Sequence, residues 1–211
     1  MAQNPEAKLA APGAGLPLPE LMIGKLLFAL KRWTGNRELF DRHFKQQRAA
    51  IRAILDQCDP ITLSQRVHIA RPPGLEDSSR YWSILMTLDH LRIVHHEFIR
   101  VMTTLANDAV PKGEASKAAV KPDPMITADA LQTYEASCDA LLAAVSSISD
   151  LKTKLRFAHP WFGAMDAYGW HALAGGHMNI HRIQIERIIL GLKNTAIKLG
   201  KSLPNELFSP F

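Results

Sequence analysis

The sequence has few of the features that mark several protein classes. Its two cysteines, Cys58 and Cys138, are far apart and form no C-x-x-C motif, which excludes a disulfide framework. No apolar run approaches the roughly 18 to 20 residues that span a bilayer, so no transmembrane segment is expected. No block of five or more Lys and Arg residues occurs, although the net charge is +5. The scattered basic residues favour a solvated surface over a specific nucleic-acid interface.

The rest of the composition is that of an ordinary folded domain. Hydrophobic residues make up 47% of the 211 residues and charged residues 21%. A moderate charge and the lack of a strict repeat exclude a collagen, a coiled-coil rod and a wholly disordered chain. The first twenty residues do not show the pattern of a signal peptide, and the cysteines are unpaired by spacing. These observations predict a cytoplasmic protein, because that compartment keeps thiols reduced.

Apolar residues recur with helical periodicity in four long segments. These segments are 36–57, 78–106, 127–150 and about 166–199. Ser78 or Ser79 is the expected N-terminal cap of the second helix, and Asp166 that of the fourth. No stretch shows convincing alternation with a period of two, so no strands are predicted. Amphipathic helices must bury their apolar stripes against one another, which predicts an all-α, up-down-up-down four-helix bundle.

Less regular segments flank and interrupt this bundle. We divide the chain into an N-terminal arm with a short helix, the bundle and a C-terminal tail, at residues 1–34, 35–200 and 201–211. The apolar helix at 20–32 could suit a membrane surface, but it has few basic residues for attraction to lipid. Packing across one end of the bundle or against a second subunit is favoured, and a homodimer is expected. Residues 107–126 contain three prolines and a glycine, which predicts a long loop.

The histidines are concentrated in two parts of the chain. Seven of the nine lie within 90–96 and 159–181. His177 and His181 are four residues apart on one helix, so both rings lie on one face and could chelate a metal ion. This spacing is also common for surface or hydrogen-bonded histidines. The metal reading gains weight because His90 lies on the apolar stripe of the second helix and offers a third inward imidazole.

Helical phase turns the other histidines of these segments away from that face. His95 and His96 lie about 140° and 240° round the helix from His90, so we expect both at the polar face or its rim. His171 is likewise expected to lie outside the first coordination shell. The segment from His177 to His181 lacks the glutamate of H-E-x-x-H, so a zinc protease of that type is not indicated.

Two motifs are similar to those of the DinB/YfiT-like metal-binding helical bundles. The motif in the second helix is Trp82-Ser83 followed by His90. The motif leading into the last helix is His159-Pro-Trp-Phe-Gly163 followed by Trp170, His177 and His181. The resemblance covers about residues 36–195. It is closest to a branch with an HP-x-FG turn whose members are mostly of unknown function.

The resemblance implies a three-histidine metal site between the second and fourth helices, formed here by His90, His177 and His181. Some branches of the superfamily are thiol-dependent transferases and isomerases, and many have no assigned activity. Three neutral imidazoles leave coordination positions open, as in catalytic rather than structural metal sites. Ligation by nitrogen alone suits Zn, Ni or Fe.

The function expected from the sequence is that of a metal-dependent enzyme with a small-molecule substrate. It would be a transferase acting on a low-molecular-weight thiol and an electrophile, or a hydrolase that uses metal-bound water. The alternative is a non-catalytic bundle that binds a metal or a partner. Glu97, His159 and Gln184 are candidates to hold the free ring nitrogens of the ligands. Each also has a simpler interpretation. Glu97 could be a solvated carboxylate, His159 could cap a helix end, and Gln184 could form a hydrogen bond to a backbone group.

Overall fold

The computed structural model describes residues 9–116 and 119–198 of the chain. Within those ranges the helices are α1 (Leu18–Thr34), α2 (Arg37–Leu55), α3 (Pro60–Ser64), α4 (Ile84–Ala106), α5 (Asp129–Ser147) and α6 (Ala167–Lys198). Two short strands, β1 (Phe157–His159) and β2 (Gly163–Met165), lie between α5 and α6. The tail at 201–211 and the first eight residues of the arm lie outside the described residues. Within the described ranges, none of the helices combines the length and the hydrophobicity that a bilayer-spanning segment requires.

Helices α2, α4, α5 and α6 form a four-helix bundle, which confirms the predicted all-α fold. Helix α4 packs against both α5 and α6, and α2 packs against α6. Each helix contributes side chains to a continuous apolar core. Fully buried examples from the four helices are Phe44, Leu88, Leu141 and Ile185. Burial of these stripes supplies the main driving force for the fold.

Side-chain caps fix where the bundle helices begin. The Asn36 carboxamide oxygen accepts a hydrogen bond from the Leu39 amide at 2.8 Å, and α2 begins at the next residue. Asp166 caps α6 by accepting from the Gly169 amide at 2.8 Å, as the sequence predicted. The predicted start of α4 is wrong by several residues, because the cap is Ser83, whose hydroxyl accepts from the Met86 amide at 3.2 Å. The earlier serines belong to a separate 3₁₀ turn at Asp77–Ser79.

The segment before α6 forms a small hairpin, although no strands were predicted. Strands β1 and β2 are antiparallel, with Phe157 opposite Met165 and His159 opposite Gly163. Phe157 and Met165 both point into the core. Strands of three residues are too short to show an alternating pattern, so periodicity could not predict them.

Helix α4 is buried on more than one side, and this changes the position of His95. The predicted location of His95 at the polar face or rim is wrong, since the side chain is 1% exposed. Its Nδ1 lies 2.9 Å from the Ser137 hydroxyl of α5, and its ring lies 5.3 Å from that of Phe44 on α2. The helix is sandwiched between several neighbours, so a single apolar stripe does not describe it. His96 is exposed as expected.

Adjacent glycines in α6 are expected to respond very differently to an added methyl group. A Cβ at Gly175 would lie 2.7 Å from His43 Nδ1 and 3.1 Å from the Phe44 amide nitrogen, so Gly175→Ala must push α2 and α6 apart. We expect a loss of about 1–3 kcal/mol in the free energy of unfolding. At Gly176 the nearest atom is 3.9 Å away. Gly176→Ala should therefore be neutral or stabilise the helix by up to about 1 kcal/mol.

Urea denaturation of the two single variants beside the wild type measures both effects. Equal stabilities of the two variants would contradict the close α2–α6 approach at Gly175.

Candidate metal site

Three histidine rings from two bundle helices converge at one point. His177 Nε2 lies 3.3 Å from His90 Nε2 and 3.2 Å from His181 Nε2. The ligand atoms of the three rings all lie within 4.8 Å of one another. A tetrahedral ion with metal–nitrogen distances of 2.0–2.1 Å places its nitrogens about 3.3 Å apart. The three rings could therefore hold one ion.

Hydrogen bonds on the far side of two rings determine which nitrogen faces the centre as an acceptor. His90 Nδ1 lies 2.6 Å from the carbonyl oxygen of Val120, which can only accept, so Nδ1 carries the proton. His181 Nδ1 lies 2.7 Å from Oε1 of Gln184 and also donates. In a neutral imidazole the other nitrogen then bears a lone pair. Both Nε2 atoms thus present lone pairs to the same small space.

The orientation of Gln184 is itself fixed by a backbone carbonyl. Its side-chain amide nitrogen donates to the Ser79 oxygen at 2.8 Å, and the residue is fully buried. A reversed amide would place two oxygens against each other at that position, so Oε1 must face His181. The chain from Ser79 through Gln184 to His181 is the kind of outer support that orients metal-binding histidines.

Burial keeps the three rings neutral at physiological pH. Burial lowers the pKa of His90 to about 4 and holds those of His177 and His181 well below their ordinary value. The proximity of the other imidazoles lowers the pKa of His177 and of His181 further. The Trp82 ring adds to the enclosure, lying 5.2 Å from the ring of His90 and nearly parallel to that of His181. Neutral imidazole is the form that binds metal ions.

The triad borders two cavities. A cavity of about 100 Å³ is lined by all three histidines together with Trp82, Lys121 and Trp161. A second cavity of about 380 Å³ lies between α1 and α6, and His177 lines both. The smaller cavity, which all three rings line, leaves room for a fourth ligand or a substrate atom beside the triad.

The three candidate supporting residues have different surroundings. Gln184 contacts His181 directly, as described above. His159 is half-buried in the hairpin, accepts a hydrogen bond from the Trp161 amide at 3.1 Å and lines both cavities. Glu97 accepts two hydrogen bonds from Arg100, at 2.8 and 2.6 Å, and within the described residues it makes none to the triad.

The other histidines of the two segments lie outside the triad. His171 is buried and its Nε2 lies 2.9 Å from the Asp41 carboxylate. His95 faces Ser137 of α5, as described above. Neither ring is among the three that converge.

Sequence reasoning did not identify the groups that hold the long loop against α4. The Asp89 carboxylate is 1% exposed and accepts a hydrogen bond from the Asp123 amide at 3.0 Å. This contact ties down the segment whose Val120 carbonyl supports His90. The available signal was an acidic side chain beside His90 on an otherwise apolar helix face, because buried carboxylates need partners.

Comparison with known proteins identifies the family. The family model of the DinB superfamily matches residues 43–185, about two thirds of the chain. The chain belongs to the DinB superfamily. This confirms the resemblance drawn from the tryptophan and histidine motifs, and all three histidines of the triad lie inside the matched range.

A solved structure described as "TT2238, a four-helix bundle protein" is similar to this DinB-superfamily chain. It aligns with a TM-score of 0.53 and 21% identity, over 72% of this chain and 98% of that one. At this identity the likeness shows the four-helix fold alone. No curated protein matches the chain.

Proposed function

We propose that this DinB-superfamily protein is a metal-dependent enzyme whose ion is held by His90, His177 and His181. The observation that carries the proposal is the pair of Nε2 lone pairs, on His90 and His181, aimed at one point beside a third imidazole. Without a cation, the His177 nitrogen can donate a proton to only one of its two neighbours, and the remaining lone pairs repel each other. A divalent ion would instead accept a lone pair from Nε2 of each of the three rings.

The side chains and backbone around the triad perform the supporting work. Val120 and Gln184 hold two rings in the ligating tautomer, and Trp82 packs beside them and excludes water on that side. When bound, Zn, Ni or Fe would supply Lewis-acid chemistry, which lowers the pKa of a bound thiol or water or polarises a carbonyl. In this proposal the protein orients the three ligands and leaves one side of the ion accessible to a substrate.

The cavities favour a catalytic over a purely structural role for this site. A structural metal site is closed by protein ligands, whereas this triad lines a cavity of about 100 Å³. The chain's own thiols are poor candidates for a nucleophile, since burial raises the pKa of Cys138 to about 12. We therefore infer a small external substrate, with thiol transfer to an electrophile as the first reaction to test and hydrolysis as the second. Both cysteines are free, which supports a reducing cytoplasmic location.

The test is an activity screen on protein of known metal content. Protein purified without chelator is analysed for Zn, Ni and Fe, then assayed with low-molecular-weight thiols and electrophiles and with ester and amide substrates. We expect turnover that disappears after chelation and returns when the metal is restored. Tightly bound metal without turnover of any substrate would favour the non-catalytic binding role instead.

Removal of the support behind His181 should weaken metal binding without removing a ligand. Gln184→Leu leaves His181 Nδ1 and the Ser79 carbonyl without their partner and frees the ring to rotate. We expect metal affinity to fall about 10- to 100-fold, the usual effect of removing such a partner. Competition with a chromogenic chelator measures the change. An unchanged affinity would show that Gln184 plays only a packing role.

We also propose that the protein is a homodimer joined through the outer face of α1. Met22, Leu26, Leu30 and Trp33 lie along this face and are 50% to 85% exposed. A second copy would cover these side chains and remove their apolar surface from water. The inner side of the helix is already held to the protein by ion pairs from Glu20 to Arg71 and from Arg32 to Asp166.

Light scattering on a sizing column tests the dimer. The wild type should have twice the chain mass of 23.4 kDa, and the double variant Leu26→Glu, Trp33→Glu should have the mass of one chain. Leu190→Glu is the matched control, because Leu190 is 56% exposed but lies near the C-terminal end of α6 and not on α1. A monomeric wild type would contradict the proposal.

A further inference from the structure

The wall of the larger cavity is mainly apolar, and its two charged side chains are Lys31 and Glu20, of which Glu20 is already paired with Arg71. The cavity measures about 380 Å³, and its surface is formed mainly by apolar side chains of α1, α6 and the hairpin. These include Leu21, Leu27, Phe28, Phe162, Leu173 and Ile180. Lys31 of α1 also lines the cavity, and the proposed metal site gives this side chain no role.

Lys31 lies in this cavity without an acidic partner. Its ammonium contacts His43 Nδ1 at 3.1 Å and lies 5.7 Å from the centre of the Phe40 ring. Among residues 9–116 and 119–198, no carboxylate forms an ion pair with it. Burial accordingly lowers the pKa of Lys31 to about 8. An ammonium withdrawn from water without a counter-charge is destabilised, and an incoming anion would relieve this cost.

The glycine before His177 leaves room next to the Lys31 ammonium. A Cβ at Gly176 would have Lys31 Nζ, at 3.9 Å, as its only neighbour within 4 Å. The ammonium therefore lies beside the same stretch of α6 that carries His177. The cavity reaches the triad itself, because His177, His159, Trp161, Gly74 and Ile180 line both this cavity and the smaller one.

We propose that the substrate is an apolar carboxylic acid, an inference that rests on the proposed metal site. The carboxylate pairs with the Lys31 ammonium, and the hydrocarbon part occupies the cavity between α1 and α6. A reactive group elsewhere on the substrate would face His177, which lines the same cavity. The cavity is more than twice the size of one of about 150 Å³ that holds benzene, so it can take a chain or ring system of about eight to twelve carbons.

The probes are octanoate and 1-octanol, which share a hydrocarbon chain and differ in charge. Their affinities are measured by calorimetry on protein whose metal content is known. Lys31→Met removes the charge and keeps the length of the side chain. Lys25→Met is the matched control, because Lys25 is exposed on the same helix. Gly176→Leu fills the space between Lys31 and His177.

We expect Lys31→Met to weaken octanoate binding at least tenfold and to leave 1-octanol binding unchanged. Lys25→Met should leave both affinities unchanged, and Gly176→Leu should weaken both. Equal octanoate affinity in the wild type and in Lys31→Met would overturn the proposal, as would no binding of either probe to the wild type.

Metal analysis separates this inference from the proposed function. Lys31→Met should keep the metal content of the wild type, because Lys31 is not among the three ligands. Lys31-dependent octanoate binding by a protein that holds no metal would refute the metal site and leave the carboxylate site standing. Bound metal together with octanoate binding that is unchanged in Lys31→Met would refute the carboxylate site and leave the metal site standing.

Discussion

Replacement of His177 by Ala is expected to abolish stable metal binding. The His177 nitrogen is the central one of the triad, within 3.3 Å of both other ligand atoms. Its loss leaves two imidazoles on different helices, which hold a divalent ion much less tightly. We expect affinity to fall by more than the roughly 10- to 100-fold loss typical of outer-shell changes. Elemental analysis after dialysis should show about one ion per wild-type chain and almost none in the variant.

The matched control for this experiment is His96→Ala. His96 is exposed on the same helix as His90, so its loss changes the histidine count without disturbing the core. His95 is unsuitable because it is 1% exposed and its replacement would leave a cavity. Metal content in the His177 variant equal to that of the control would refute the triad as the binding site.

Acidification should destabilise the metal-free protein, and His95 should contribute to this effect beside the three triad histidines. Burial lowers the pKa of His95 to about 3, and the nearby side chains of His96, His181 and Arg48 lower it further. Unfolded histidine has a pKa of about 6.5, so below that pH the unfolded chain binds a proton that the folded chain does not. Stability therefore falls as the pH drops from 6.5 towards 3. Between pH 7 and pH 5 the expected loss from this one residue is about 2 kcal/mol.

Urea denaturation at pH 7 and pH 5, with chelator present, measures this effect. His95→Gln removes the titrating group, so its stability should fall by about 2 kcal/mol less than that of the wild type over this interval. His96→Gln should behave like the wild type, because His96 is exposed. The same pH dependence in all three proteins would show that His95 does not remain neutral when the protein is folded.

Local patterns in the sequence were enough to predict the four bundle helices and the three histidines that converge. Both follow from local geometry: a spacing of four residues places His177 and His181 on one face of a helix, and helical phase places His90 on the apolar stripe. Asp166 could be identified as a cap because the residue that it caps lies three positions away. Contacts of this range are encoded in neighbouring residues, so the pattern of the chain is enough to predict them.

Features that depend on distant parts of the chain could be found in the folded protein alone. His95 is buried because α4 has neighbours on several sides, which one helix's pattern does not reveal. The tautomers of His90 and His181 depend on the carbonyls of Val120 and Ser79, and every residue has a carbonyl, so no side-chain motif marks these two. The cavity at Lys31 exists because α1 packs against α6 where Gly176 has no side chain. Such groups are brought together by folding over long separations, and local periodicity carries no record of them.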